Sequence, residues 1–366
     1  MQPLRILLVQ LAANGDCLFL TTIAKQIKEI DYPGSHLTWM IGSRYVHVLT
    51  NNPFIDDVIE ISMPSERNEI LRLIESVPKL IDEVIVDNKF DKIFITDYTP
   101  INYKNWFGTT RSSLFRSYPH KLRIDPSPLI FITDDEKKRV KDFCQINNIT
   151  NNTFNILFEC SPQSGQSHMT FDLAIEIAKE VISKSSRVKF ILSTPKSFIS
   201  DSHNIIDGSA VTWRENAELS HYCQLLVGCS SGISWLCTSS WANAIPTIQI
   251  IDPGYMKGRF SASMKTDFRY FGIDTGRIIE LYNPSNEEIL DCILLAEMDN
   301  FALARKKYNV DGGECFKNYK FLMEANIPWY QKCFFLVKFH FLNLPLRVYR
   351  KIKPKWFVPG IWLKKY

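Results

Sequence analysis

Asp16 closes the segment Leu4-Arg-Ile-Leu-Leu-Val-Gln-Leu-Ala-Ala-Asn-Gly-Asp16, in which an apolar strand runs into a small-residue turn and a carboxylate follows at once. The turn is Ala12-Ala13-Asn14-Gly15. Small residues there let another molecule approach the backbone. A carboxylate at the top of a parallel sheet stands where open α/β folds place their ligands. Half-buried in such a place, it can act as a general base. Aspartate is also a preferred helix N-cap, and a purely structural Asp16 fits the same residues.

Two loops in the second half carry the other candidate chemistry. Cys160-Ser-Pro-Gln-Ser-Gly-Gln-Ser-His168 and Gly228-Cys-Ser-Ser-Gly-Ile-Ser234 each connect a predicted strand to a predicted helix. Both offer small residues, hydroxyls and backbone N–H groups at a helix start, which suits a phosphate. The residues concerned are Ser161, Gln163, Ser164 and Gly165 in the first loop, and Ser230, Ser231, Gly232 and Ser234 in the second. Neither loop is a P-loop or a GxGxxG turn, and such residues also cap helices and make turns. Between them lies Ser193-Thr-Pro-Lys196. Lys196 can neutralise a phosphate or stand solvated in a loop. Trp213, in Trp213-Arg-Glu-Asn216, is read chiefly as a packing residue.

These residues need a frame to hold them. In the first half, residues 6–9, 37–41, 58–61 and 92–95 read as strands, the last ending at Thr96-Asp97-Tyr98. A further strand is expected near 121–124. Helices are expected over 17–30, 43–49 and 69–86, the last kinked or divided at Pro78. Pro126-Ser-Pro128 breaks the pattern, and a charged helix over 134–144 leads to a polar linker at 147–153. The alternation then resumes. Strands are expected at 154–158, 188–192, 225–227 and 246–250, and helices at 171–183, 219–223, 233–241, 286–298 and 315–324. Alternating strands and helices imply parallel, doubly wound sheets, here two α/β domains facing across a cleft.

Length and composition agree with this frame. The 366 residues exceed one ordinary core, and no repeat of solenoid period is present. Nine cysteines, an odd number without a CxxC pair, argue against a disulfide framework or a zinc ribbon and suit reduced, buried thiols. The apolar run after Arg5 is short and interrupted, so it reads as core strand rather than leader. No run reaches the roughly eighteen apolar residues that span a bilayer. The net charge of +4 conceals an asymmetry: nine of the 43 basic residues lie after Glu324, the last acidic residue, leaving 34 basic against 39 acidic groups elsewhere. A mildly acidic body is not that of a nucleic-acid-binding protein.

Taken together, these motifs resemble the heptosyltransferase-like glycosyltransferases of family 9, which have the GT-B fold. The resemblance is carried by the strand–Gly15-Asp16–helix start, the Tyr32-Pro-Gly34 turn, Leu37-Thr-Trp-Met-Ile-Gly-Ser-Arg-Tyr45 and Asn52-Pro-Phe-Ile-Asp56. In the second half it is carried by Leu225-Leu-Val-Gly-Cys-Ser-Ser-Gly-Ile-Ser-Trp-Leu236 and Pro246-Thr-Ile-Gln-Ile250. It implies an inverting transfer of a sugar from a nucleotide-diphosphate donor. Asp16 would be the base. Asn14, Gly15 and Asp97 would contact the acceptor, and the loop residues named above with Lys196 would contact the donor. The leaving diphosphate would be held by N–H groups, with no metal and no cofactor. Asp56-Asp57 and Asp134-Asp135 read as turn and helix-start residues rather than metal ligands.

The departures are specific. Family members often carry Asp-Thr-Gly and then a histidine in the second loop, where this chain has Ser230-Ser231-Gly232 and Trp235. The family's first-loop lysine is replaced near Gln166. ADP-heptose is therefore not implied as the donor. The Ser-Gly-Ile-Ser-Trp-Leu wording is nearer to bacterial heptosyltransferases that glycosylate autotransporter proteins. The iron-binding cysteine cluster of those enzymes has no match here.

The expected domains are 1–128 for the acceptor, 129–152 as linker, 153–300 for the nucleotide sugar, 301–328 as helices returning to the first domain, and 329–366 as a basic aromatic tail. That tail mixes Phe334-Phe335-Leu336-Val337, Trp356-Phe357 and Trp362 with Lys and Arg. Such a segment can lie on anionic lipid or pack back on the first domain, and the first is favoured. A cytoplasmic enzyme at the inner membrane face, acting on a lipopolysaccharide, capsule or other surface glycan or a lipid-linked acceptor, would suit it. Rival readings are a protein O-glycosyltransferase of the autotransporter type, a nucleotide-sugar epimerase, and a non-catalytic module binding a nucleotide sugar or a partner protein.

Overall fold

A computed structural model describes residues 2–87, 90–97, 99, 102, 105, 110–162, 165–252 and 263–309. Its strands are β1 (Arg5–Val9), β2 (His36–Gly42), β3 (Asp57–Ile61), β4 (Lys92–Ile95), β5 (Phe154–Glu159), β6 (Val188–Ser193), β7 (Ile205–Asp207), β8 (Leu225–Gly228), β9 (Thr247–Ile251) and β10 (Ile278–Tyr282). The helices are α1 (Asn14–Gln26), α2 (Arg67–Glu75), α3 (Val77–Asp87), α4 (Thr110–Ser117), α5 (Asp134–Ile146), α6 (Phe171–Lys184), α7 (Glu215–Leu219), α8 (Gly232–Leu236), α9 (Met264–Phe271), α10 (Asn286–Glu297) and α11 (Phe301–Tyr308). No described helix is long and apolar enough to cross a membrane.

The strands form two sheets, β3-β2-β1-β4 and β10-β9-β8-β5-β6-β7, and every pairing is parallel. Central strands such as Ile6-Leu7-Leu8-Val9 and Leu225-Leu226-Val227 are continuous apolar runs because both faces are covered by helices. In each sheet the winding reverses beside its first strand. The first reverses between β1 and β4, and the second between β5 and β8. Ligands of open α/β sheets collect outside the carboxyl ends of the strands at such reversals. The segment after β1 and the loop after β8 both occupy one.

The two units share apolar surface. Phe19 of α1 packs edge-on to Trp235 of α8 with ring centroids 5.3 Å apart, and Phe115 of α4 meets Phe271 of α9 at 5.0 Å. Trp235 and Leu236 belong to the same buried cluster as Leu18, Phe19 and Leu114. A polar clamp adds to this. The buried Arg214 donates to Glu136 Oε1 at 2.6 Å, to the Phe131 carbonyl, and to the His47 carbonyl at 3.1 Å. Glu136 is also part of the capping box with Thr133 that starts α5. One guanidinium therefore joins the first unit, the linker helix and the second unit.

Several expectations are corrected. The segment 121–124 is not a strand, because the Gln26 side chain takes its backbone bonds instead, to Lys121 O at 2.9 Å and from Arg123 N at 2.7 Å. Pro78 divides the helix into α2 and α3, with the proline in the first turn where its missing N–H costs nothing. The helix expected at 219–223 is α7 followed by one 3-10 turn, so it begins at Glu215, whose carboxylate accepts the Thr212 N–H at 2.8 Å. The helix expected at 233–241 stops at Leu236. Strands β7 and β10 and helices α4 and α9 were not anticipated. β10 hides in Ile-Ile-Glu-Leu-Tyr because its central Glu280 is buried, accepting Ser263 Oγ at 2.9 Å and Lys265 N at 3.0 Å. Of the stretch 301–328, α11 lies in the cluster built on the second sheet, with Ala304 buried there. The helix expected at 315–324 and the tail 329–366 lie outside the described residues.

Candidate active site

Asp16 is the third residue of α1. The N-cap is Ala13, which has no side chain to bond, and Asp16 reaches back to the Ala13 backbone N–H. The carboxylate is thus not the cap itself but supports it. Its side chain is 16% exposed, and Arg111 Nε of α4 lies 3.2 Å from Oδ1. Burial raises its pKa above the ordinary value, the Arg111 charge opposes this, and Asp267 of α9 adds to the rise. A carboxylate so placed accepts a proton more readily than one in water.

Arg111 is itself positioned across the cleft. Its guanidinium lies 4.0 Å over the Trp235 ring, a cation–π contact between the two units. Gly15 makes room, since a Cβ there would stand 3.1 Å from Arg111 Nη2 and 3.3 Å from Trp235 Cδ1. The Trp235 indole N–H donates to Ser230 O at 3.1 Å, which ties the same ring to the β8–α8 loop.

That loop is organised by a buried carboxylate. Glu159, the last residue of β5, accepts Cys229 N and Ile233 N at 2.9 Å each, and the Ser231 and Ser234 hydroxyls at 2.5 Å each. The two hydroxyls expected on the donor are therefore committed to an internal anion. Gln249 of β9 adds an acceptor for Ser230 N at 2.5 Å, and Ser230 adopts φ +52°. Gly228 cannot carry a side chain, as its Cβ would stand 2.2 Å from Ser234 Oγ. What remains for a ligand is the backbone at Ser231–Gly232, where a helix start leaves N–H groups without intrahelical partners.

Asp97 lies under the β1 exit rather than in the open cleft. Its Oδ1 accepts Gln10 Nε2 at 2.7 Å and its Oδ2 accepts Leu11 N at 2.6 Å. Burial pushes its pKa up to about 8. Asp97 holds the strand end from which Asn14, Gly15 and Asp16 project. In the first candidate loop Ser161 is half-buried and Gly165 has φ +67°, while Gln163 and Ser164 lie outside the described residues. Lys196 is exposed in the turn after β6, next to the β5 exit because Ser193 pairs with Glu159.

Asn14 and Gly232 meet where the units face each other. A Cβ on Gly232 would stand 3.9 Å from Asn14 Cβ and 2.9 Å from Trp213 Nε1. Around this point, beside the Asp16–Arg111 ion pair, the buried Asn14 Oδ1, Arg111 Nη1 and Trp213 Nε1 lack a hydrogen-bond partner. Native interiors rarely leave such groups unsatisfied, and their concentration at one place makes it the candidate ligand site.

Arg111, Glu159, Gln249 and Trp235 were not anticipated as site residues. Glu159 and Gln249 left a signal, each being a polar residue beside an apolar run in a buried strand. Arg111 left none, since only the packing of α4 brings it to Asp16.

No family model and no curated protein matches this sequence. Solved structures do match its fold. A glycosyl transferase family 9 protein from Veillonella parvula superposes with a TM-score of 0.54 at 15% identity, covering 89% of this chain and 99% of that one. The ADP-heptose lps heptosyltransferase II of E. coli superposes with a TM-score of 0.52 at 12% identity, covering 81% of this chain and 99% of that one. The chain has the GT-B fold of these glycosyltransferases.

Proposed function

We propose that this chain is an inverting glycosyltransferase that takes a sugar from a nucleotide-diphosphate donor. The observation that carries the proposal is the opposition of two sheet-reversal sites: Asp16, with its raised pKa, faces the Gly232 loop across a point lined by unsatisfied polar atoms. The fold supports it. By its name the E. coli relative uses ADP-heptose, and we carry over only the donor class.

In the proposed step the acceptor hydroxyl gives its proton to Asp16 as its oxygen attacks the anomeric carbon. The bond from that carbon to the diphosphate breaks, the anomeric configuration inverts, and the diphosphate leaves with the electron pair. The Ser231–Gly232 backbone meets its charge, with no metal in the step. Glu159 keeps that loop in shape rather than touching the donor. Lys196, Ser161 and Gly165 would line the donor side, and Asn14 and Gly15 the acceptor side. The acceptor is proposed to be a surface glycan or lipid-linked sugar, reached at the inner membrane face through the basic tail.

The test is calorimetry with ADP-, GDP-, UDP- and CMP-linked sugars on wild type and Asp16→Asn. An enzyme of this kind binds one donor class, and the variant keeps that affinity while losing turnover. A protein O-glycosyltransferase would give the same donor result and accept peptide hydroxyls. A variant with undiminished function would leave a binding module.

A further inference from the structure

Two of the orphaned polar atoms, on Trp213 and His47, have no part in the step above, and a third, on Asn14, stands where the acceptor side borders them. Trp213 Nε1 is buried without an acceptor, and Asn14 Oδ1 and His47 Nε2 are buried without a donor or acceptor. They are neighbours. The Trp213 indole covers Gly232, within 2.9 Å of where its Cβ would be, and Asn14 approaches the same point. The His47 ring meets the Trp213 ring edge to face at 5.3 Å. His47 and Asn14 belong to the first unit, Trp213 and Gly232 to the second.

The chemistry of the three atoms is complementary to a hydroxyl. The indole N–H only donates and the amide oxygen only accepts. His47 is held below its ordinary pKa by burial and by the Arg214 charge, so it is neutral at neutral pH. A neutral imidazole carries one N–H and one lone pair, so its unpartnered Nε2 can meet either end of a hydroxyl. A hydroxyl both donates and accepts, and a sugar ring presents a C–H face to an indole. No charge is on offer, so a phosphate or carboxylate finds no match here.

We propose that Trp213 Nε1–H, His47 Nε2 and Asn14 Oδ1 form a subsite, split between the two units, that reads a hydroxyl of the sugar being transferred. This rests on the glycosyltransferase reading, because Gly232 is where that reading puts the donor diphosphate and Asp16 lies two residues from Asn14. The subsite is complete only when the units are closed on each other. A site built to bond a hydroxyl discriminates strongly against analogues lacking it, because its own buried groups are then left unpaired.

The experiment compares each nucleotide-linked sugar of the panel with its parent nucleotide diphosphate, or with CMP, by calorimetry. Wild type, Trp213→Phe and His47→Gln are measured, with thermal unfolding confirming that each variant is folded. Trp213→Phe keeps the ring and removes only the N–H. The expected result is that wild type binds one nucleotide sugar about tenfold or more tighter than its nucleotide, and that Trp213→Phe loses about tenfold for the sugar form alone. His47→Gln is expected to lose part of the same increment, which keeps the test open if the Phe variant does not fold. Equal affinities of wild type and both variants for the nucleotide sugar overturn the subsite and leave the glycosyltransferase reading standing. A wild type that binds no member of the panel overturns both.

Discussion

Asp16, half-buried, and Glu159, buried, are carboxylates at sheet reversals, and their surroundings assign them opposite work. Glu159 is saturated by four donors from one loop, so it has no free lone pair to offer a substrate. Asp16 has one oxygen on the Ala13 N–H and the other beside Arg111, with no hydrogen bond to the latter oxygen. Replacing Asp16 with Asn is expected to lower kcat by about a hundredfold to ten-thousandfold with donor affinity unchanged, read by steady-state kinetics and calorimetry. Because the carboxyl pKa is raised, the acid limb of the wild-type rate profile is expected above the ordinary range near 4. Glu159→Ala leaves the loop donors buried and unpaired, and a loss of roughly 3 kcal/mol in denaturant unfolding is expected. Donor binding should fall with it, whereas Ser231→Ala should cost about 1 kcal/mol.

At the scale of elements, the β1 exit depends on Asp97. The native carboxyl holds its proton up to about pH 8, whereas in an unfolded chain it is lost near pH 4. Between those values the native state binds a proton that the unfolded state has released, so stability falls as pH rises through the window and levels off above it. Unfolding midpoints measured across that range should show the decline, and Asp97→Asn should flatten it. A slope unchanged in the variant would assign the effect elsewhere. The α1 helix shows how much its position owes to context. Most of its residues are buried, because it is covered by α8 as well as by its own sheet. An amphipathic surface helix would be the ordinary expectation from sequence, and α4 of the first unit together with α8 of the second explains the apolar outer face.

For the whole molecule, the relation of the two units is the quantity that matters to activity. Arg214 is 6% exposed and Glu136 9%. Arg214→Met strands a buried carboxylate and releases the His47 and Phe131 carbonyls. A loss of about 3–5 kcal/mol is expected, seen as separate melting of the two units in calorimetry rather than one transition. A single transition shifted only slightly would show that the aromatic contacts alone couple them. Removal of residues 329–366 is expected to abolish binding to anionic liposomes while leaving donor affinity intact, measured by flotation and calorimetry.

The chain by itself determined the parallel α/β class, most of the strands, the helix after Asn14 and the placing of two small-residue loops after strands. These are local matters: apolar runs of strand length, turn residues and helix periodicity act over a few neighbours. Asp16 and Gly232 were legible for the same reason. Tertiary structure alone decided what the loops are bonded to. The hydroxyls of Ser231 and Ser234 read as free donors until the parallel pairing of β5 with β8 puts Glu159 beneath them. Arg111 reaches Asp16 from almost a hundred residues away, and Trp213, His47 and Asn14 converge only because the two units close on each other. Such meetings are set by the packing of whole elements, and no pattern of neighbouring residues encodes them.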